Sequence, residues 1–260
     1  MTKHIFIEKC LKRTKKVGNF LCAGIDPDIE KLPSQYSRDL TGLEAFLLDY
    51  IAFANDYVIA YKPNISFFEA LGLDGLRLLE KIMKKVSADI PVIIDAKRGD
   101  IGNTAKMQAR FIYDYFGADA TTLHPYMGSD SVVPFFEYKD KFNFVLVLTS
   151  NPSYDDFETL ILDNKKPLYE NVLSKCNEWL ERYKNVGCVV GATSNGLATL
   201  RQLNDSLLFL LPGVGAQGAR YMDVVNYSKN VEGLCLINVS RALMYHNQFS
   251  YHIIDAILNN

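Results

Sequence analysis

The chain has 260 residues, with 28 Lys or Arg against 30 Asp or Glu, which leaves a formal net charge of −2. That balance argues against a nucleic-acid surface, which carries a basic excess. Hydrophobic residues at 48% and charged residues at 22% exclude a disordered chain, and no window approaches the roughly 18 consecutive apolar residues that a membrane helix needs.

The opening segment, MTKHIFIEKCLKRTKK, is charged throughout and lacks the apolar centre and small-residue cleavage site of a signal peptide, so a cytoplasmic chain is expected. Eight short β-branched apolar runs follow in order: LCAGI (21–25), YVIAYK (57–62), VIID (92–95), ATTL (120–123), FVLVLT (144–149), GCVVG (187–191), LLFLLP (207–212) and LCLIN (234–238). Each is apolar at consecutive positions, the pattern of strands buried on both faces. Successive runs begin 20 to 43 residues apart, the size of a βαβ unit. Amphipathic stretches at 42–56, 75–88, 105–117 and 166–183 fill four of the gaps with helical spacing. No Pro/Gly/Ser linker interrupts them. The expected fold is therefore α/β, a (β/α)8 TIM barrel in a single domain over 1–260, with an open doubly wound sheet as the alternative. The polar segment 151–165 reads as a long surface loop, either functional or a decorative insertion. The five cysteines (Cys10, Cys22, Cys176, Cys188, Cys235) are odd in number, scattered and without a CxxC pair. A disulfide scaffold or zinc site is not expected from them.

In a barrel of this kind, catalytic residues sit at the C-terminal ends of the strands. The first run ends in Gly24-Ile25-Asp26-Pro27, the second in Tyr61-Lys62-Pro63-Asn64, and the third in Asp95-Ala96-Lys97-Arg98-Gly99-Asp100. Side-chain alternation along an extended segment places Asp95 and Lys97 on one face, aimed into the mouth with Lys62 beside them. Interleaved opposite charges keep each member ionised. A structural ion-pair network at the rim is the plainer alternative. After the seventh run comes Gly213-Val214-Gly215-Ala216-Gln217-Gly218, opening into a helical stretch, and after the eighth comes Val239-Ser240-Arg241. Backbone amides near glycine, a helix N-terminus and a guanidinium together suit a phosphate monoester better than a dinucleotide, whose glycine fingerprint belongs to a first strand.

Taken in order, GIDP, YKPN, VIIDAKRGDIGNTA, LTSNPS, PGVGAQGAR and NVSRAL, from about Leu21 to Arg241, resemble the orotidine 5′-phosphate decarboxylase family, in its branch of longer bacterial-type chains. The resemblance implies removal of CO2 from C6 of orotidine 5′-monophosphate to give UMP, the last step of de novo UMP synthesis, with neither metal nor cofactor. On the same basis Lys97 matches the proton donor, Asp95 the carboxylate beside the substrate carboxylate, and Lys62 the lysine that ties the acids together and contacts the ribose. Asp100 matches a network member supplied by the neighbouring subunit. Ile101 and Thr104 match residues crossing that interface, so a homodimer is implied. Asp26 matches a ribose hydroxyl acceptor, Ser150 the hydroxyl that reads the pyrimidine amide edge, and Gln217 and Arg241 the phosphate grip, with Gly215 or Gly218 as backbone donors.

His124, in LHPYMG, is read as structural, and Trp179 as packing. Two alternatives stay open. A metal-dependent sugar-phosphate lyase or decarboxylase of the same barrel superfamily shares DxKxxD but uses an acid at the end of the second strand, where this chain has Lys62. A non-catalytic phosphate-ligand barrel would have no need of a lysine held among carboxylates.

Overall fold

All eight apolar runs form strands in the computed structural model, which describes residues 3–192, 196–214 and 219–259. They are β1 (Leu21–Ile25), β2 (Ala60–Pro63), β3 (Ile93–Arg98), β4 (Ala120–Leu123), β5 (Phe142–Leu148), β6 (Val186–Val190), β7 (Phe209–Pro212) and β8 (Leu236–Val239). The parallel sheet runs in the order β2-β1-β8-β7-β6-β5-β4-β3, and bridges from Tyr61 to Val92 and from Asn64 to Asp95 join β2 to β3. The ring closes, which makes the fold a (β/α)8 barrel and sets aside the open sheet. Every residue of β1, β2, β4, β6 and β8 is buried. This is why those strands read as unbroken apolar runs instead of alternating ones.

Around the barrel lie α1 (Ile5–Val17), α2 (Leu40–Ala54), α3 (Ile65–Glu69), α4 (Gly72–Met83), α5 (Gly102–Arg110), α6 (Ser129–Phe136), α7 (Leu168–Tyr183), α8 (Leu197–Leu203), α9 (Tyr221–Ser228), α10 (Arg241–Met244) and α11 (Tyr251–Leu258). The four amphipathic stretches correspond to α2, α4, α5 and α7. The third differs in detail, because α5 passes into a π-helical turn over Phe111–Tyr115. In α2 the Asp39 side chain caps the start by accepting from Gly42 N–H at 2.8 Å. Its Leu43, Phe46, Leu47, Tyr50, Ile51 and Ala54 face the core at helical spacing. Trp179 of α7 packs 5.5 Å from the Phe136 ring, as expected. All five cysteines are buried free thiols.

The charged opening segment turns out to be α1, which plugs the N-terminal end of the barrel. Phe6 stacks on Phe142 at 5.0 Å. Cys10 joins Cys22, Ala60, Ile93, Phe144 and Leu236 in the interior cluster. Arg13 is 2% exposed and donates to the carbonyls of Val58 and Asn55. With that end filled, the cavity among the described residues lies at the C-terminal ends of the strands. Among the described residues no helix is long and apolar enough to cross a membrane.

Candidate active site

Interior-facing positions recur every second residue along a strand. Two residues beyond Ala60, Ile93 and Ala120 of the packed interior come Lys62, Asp95 and Thr122, the top layer at the mouth. Lys62 Nζ lies 2.6 Å from Asp95 Oδ2 and Lys97 Nζ 2.7 Å from Asp95 Oδ1. The side chains of Lys62 and Asp95 are 6% and 9% exposed, and that of Lys97 is 48% exposed. Burial by itself pushes the Asp95 carboxyl up, but the Lys62 and Lys97 ammonium groups outweigh it and hold the acid well below the usual carboxylate range. Burial likewise favours a neutral Lys62, yet the Asp95 and Asp26 carboxylates raise its pKa above the ordinary value. The central pair is therefore a carboxylate and an ammonium, held charged by each other.

Asp95 and Lys97 meet, although not by simple alternation. Lys97 has φ 44°, in the left-handed region, and the β3–β4 register shifts between Ile94 and Arg98. Ile94 pairs with Thr121 and Arg98 with Leu123, so Asp95, Ala96 and Lys97 together face the single residue Thr122. The extended reading of Asp95-x-Lys97 is corrected here: a bulge, not a regular pleat, brings the lysine back onto its acid. The Thr122 hydroxyl sits inside it, accepting from Ala96 N–H at 3.1 Å and Lys97 N–H at 2.9 Å and donating to Asp95 Oδ1 at 2.8 Å.

These groups line a cavity of about 260 Å³, with Thr149, Ser150 and Asn151 on one side and Leu146, Val189, Leu210 and Pro212 as apolar wall. Ser150 is fitted closely against Gly191, where a Cβ would lie 2.9 Å from the Ser150 Cβ. The long segment after β5 contributes directly. Its Glu158 carboxylate accepts from Thr149 N–H and Thr149 Oγ1, both at 2.7 Å. A short 3-10 turn at Pro152–Asp156 and a bridge between Ile161 and Pro167 give this segment structure of its own.

Asp26 follows β1, and its Oδ1 is buried with no partner among the described residues. Tyr245 Oη donates to the Asp26 carbonyl and accepts from Asp28 N–H, both at 2.7 Å, which shapes the turn that presents the acid. Arg241 begins α10 and is exposed just past β8. Its loop adjoins the one after β7, since Pro212 and Asn238 are in register. Gly215, Gln217 and Gly218 lie outside the described residues. Among the described residues Asp100 forms no ion pair with Lys62 or Lys97; its carboxylate accepts from Ile101 N–H at 2.7 Å. Ile101 and Thr104 are exposed. His124 is exposed and outside the cavity lining. Its N–H donates to the Arg98 carbonyl at 2.8 Å, and its own carbonyl stands where a Cβ on Gly99 would come within 2.5 Å. Sequence reasoning missed Thr122, Thr149, Glu158 and Tyr245. For Thr122 a signal existed, its place two residues beyond Ala120 on the inward face; for the others none did.

A family model described as Orotidine 5′-phosphate decarboxylase / HUMPS family matches residues 19–248. The orotidine 5′-phosphate decarboxylase of Herpetosiphon aurantiacus is 41% identical over 242 residues, covering 93% of this chain and 90% of that protein. That of Dehalococcoides mccartyi is 42% identical over 246 residues, covering 91% and 89%. Among solved structures, OMP decarboxylase of Leishmania donovani superposes with a TM-score of 0.85 at 34% identity, covering 97% of this chain and 95% of that one.

Proposed function

This chain belongs to the orotidine 5′-phosphate decarboxylase / HUMPS family, and from that premise we propose how its barrel mouth converts orotidine 5′-monophosphate to UMP and CO2. The observation that carries the reading is one buried carboxylate, Asp95, gripped by two ammonium groups, of which Lys97 is half exposed toward the cavity. In the reaction the bond from C6 to the carboxylate carbon breaks, CO2 departs, and the electron pair stays on C6. The pyrimidine offers that pair little delocalisation, so the site must stabilise it electrostatically. An ammonium fixed in place before the reaction does this without reorganising. Lys97 then passes a proton to C6, and its neutral amine recovers one from solvent. Asp95 holds both lysines charged and lies beside the leaving carboxylate. Lys62 anchors Asp95 from below and reaches the ribose.

The remaining contacts follow the same logic. The unpartnered Asp26 Oδ1 suits a ribose hydroxyl, which would satisfy an acceptor that is costly to leave buried and unpaired. Ser150 takes the amide edge of the base. Arg241 and Gln217, with backbone amides at Gly215 and Gly218, take the phosphate, and binding energy from that remote group helps lower the barrier at C6. Both Asp95 oxygens already accept from ammonium groups, and neither metal nor cofactor enters the scheme. In this reading Asp100, whose carboxylate accepts from Ile101 N–H, completes the charge network of a second copy, with the exposed Ile101 and Thr104 at the same contact. The working unit is then a homodimer of single-domain barrels in the cytoplasm, a reducing compartment that suits five free thiols.

The test is spectrophotometric: purified protein in EDTA should consume orotidine 5′-monophosphate, and Lys97→Ala should not, while still binding UMP. Normal turnover by Lys97→Ala would remove that lysine from the chemistry, and loss of wild-type activity in EDTA would point to the metal-dependent relatives.

A further inference from the structure

We propose that Thr122 is a positioning residue for decarboxylation: its hydroxyl folds β3 back on itself so that the Lys97 ammonium and the Asp95 carboxylate meet at the reacting carbon. The inference rests on the role given above to Lys97. A lysine in the left-handed region at φ 44° is unfavourable by itself, so the surroundings must hold it there. Where the register slips, the ladder between β3 and β4 cannot satisfy the amides of Ala96 and Lys97 in the ordinary way. Thr122 Oγ1 takes both, at 3.1 and 2.9 Å, and spends its one proton on Asp95 Oδ1 at 2.8 Å. A hydroxyl has one donor and two acceptor positions, and here all three are used. Thr122 is 1% exposed, so water has little access to substitute. One oxygen thus sets the backbone turn before Lys97 and the rotation of the carboxylate that receives its ammonium. Lys97 itself is half exposed and reaches into the cavity from this fixed base. Thr122 lines the same cavity, but its hydroxyl is committed to the protein and not to a ligand.

Three variants separate this role from simple packing. Thr122→Val preserves shape and removes the hydroxyl; Thr122→Ser preserves the hydroxyl and removes a methyl. Misplacement of a catalytic group by an ångström costs roughly 100-fold, so kcat of Thr122→Val should fall by on the order of 100-fold. Its dissociation constant for UMP should stay near wild type, and Thr122→Ser should recover most of kcat. Should Thr122→Val not fold, Thr122→Cys, close in volume with a weaker hydrogen-bonding group, takes its place, with kcat expected well below that of Thr122→Ser. Wild-type kcat in Thr122→Val or Thr122→Cys overturns the proposal, as does a Thr122→Ser enzyme as impaired as Thr122→Val. Lys97→Ala run alongside keeps the two claims apart. If it is inactive while Thr122→Val is normal, only the positioning role fails; if it is active, the reading of the site beneath it fails.

Discussion

Lys62 Nζ stands 2.6 Å from Asp95 Oδ2 with both side chains more than nine-tenths buried. Such a pair is weak evidence of stability when intact, because desolvation offsets much of the attraction, but removing one partner leaves a buried charge uncompensated. Asp95→Ala should therefore destabilise the barrel by about 3–5 kcal/mol in urea unfolding, in addition to abolishing turnover. Adding Lys62→Met to Asp95→Ala should cost less than the two single losses combined, since the stranded ammonium is gone. Strict additivity in that cycle would mean the two charges do not act as a pair.

The same pair fixes a pH dependence with two edges. Asp95 has a folded-state pKa depressed below its ordinary 3.8. Its contribution is complete above that value and is lost as pH falls toward the folded one. Lys62 has a folded-state pKa raised above its ordinary 10.5. Its contribution is complete below that value and disappears as pH climbs through the folded one. Between these edges the pair adds no slope. Urea midpoints measured from about pH 6 down to about pH 3 should drop more steeply for wild type than for Asp95→Asn; parallel curves would contradict the assignment.

Lys97 offers a test of the bulge itself. At an ordinary strand position alanine is more favourable than glycine, but at φ 44° the preference reverses, because glycine alone enters the left-handed region without a steric penalty. Both Lys97→Gly and Lys97→Ala lose the amine and should be inactive. Of the two, Lys97→Gly should be the more stable by about 1 kcal/mol, read from denaturant midpoints at constant slope. A more stable alanine variant would restore the regular pleat that alternation suggests.

Glu158 tethers the segment that carries Ser150 through two charge-assisted hydrogen bonds to Thr149. Freed of them, Thr149 to Asn151 should sample more conformations and hold the base less well. Glu158→Ala should raise KM about tenfold, with a smaller effect on kcat, in steady-state assays. A fall in kcat alone at unchanged KM would assign the long segment a different role.

Sharing across two copies is tested by complementation. Chains carrying Lys97→Ala and chains carrying Asp100→Ala should each be inactive as homodimers. After unfolding and refolding together, random pairing puts one intact site in each mixed dimer, and activity should return to on the order of a quarter of wild type. No recovery in a verified mixed dimer would place Asp100 outside the shared network.

The eight strands were legible in the amino-acid sequence because parallel strands buried on both faces leave continuous apolar runs; closure of their order into a ring was settled by the structure. The charged strand ends were legible for a related reason: Lys62 and Asp95 interrupt that apolar pattern where a solvated loop has not yet begun. What escaped notice had ordinary local explanations. Thr122 reads as one more β-former in ATTL, Arg13 as one more charge in the charged opening segment, and Glu158 as one acid in a polar loop.

The sequence by itself determined eight buried strands alternating with helices, and the acid and base types at the strand ends, since periodicity and side-chain charge are local properties of the chain. Tertiary structure alone decided that Lys97 returns to Asp95 through a left-handed bulge, that a hydroxyl from the neighbouring strand holds it there, and that a cationic helix plugs the opposite end. Each depends on which backbone amides remain unpaired once two strands have settled into register, and that is a property of the pair, not of either strand.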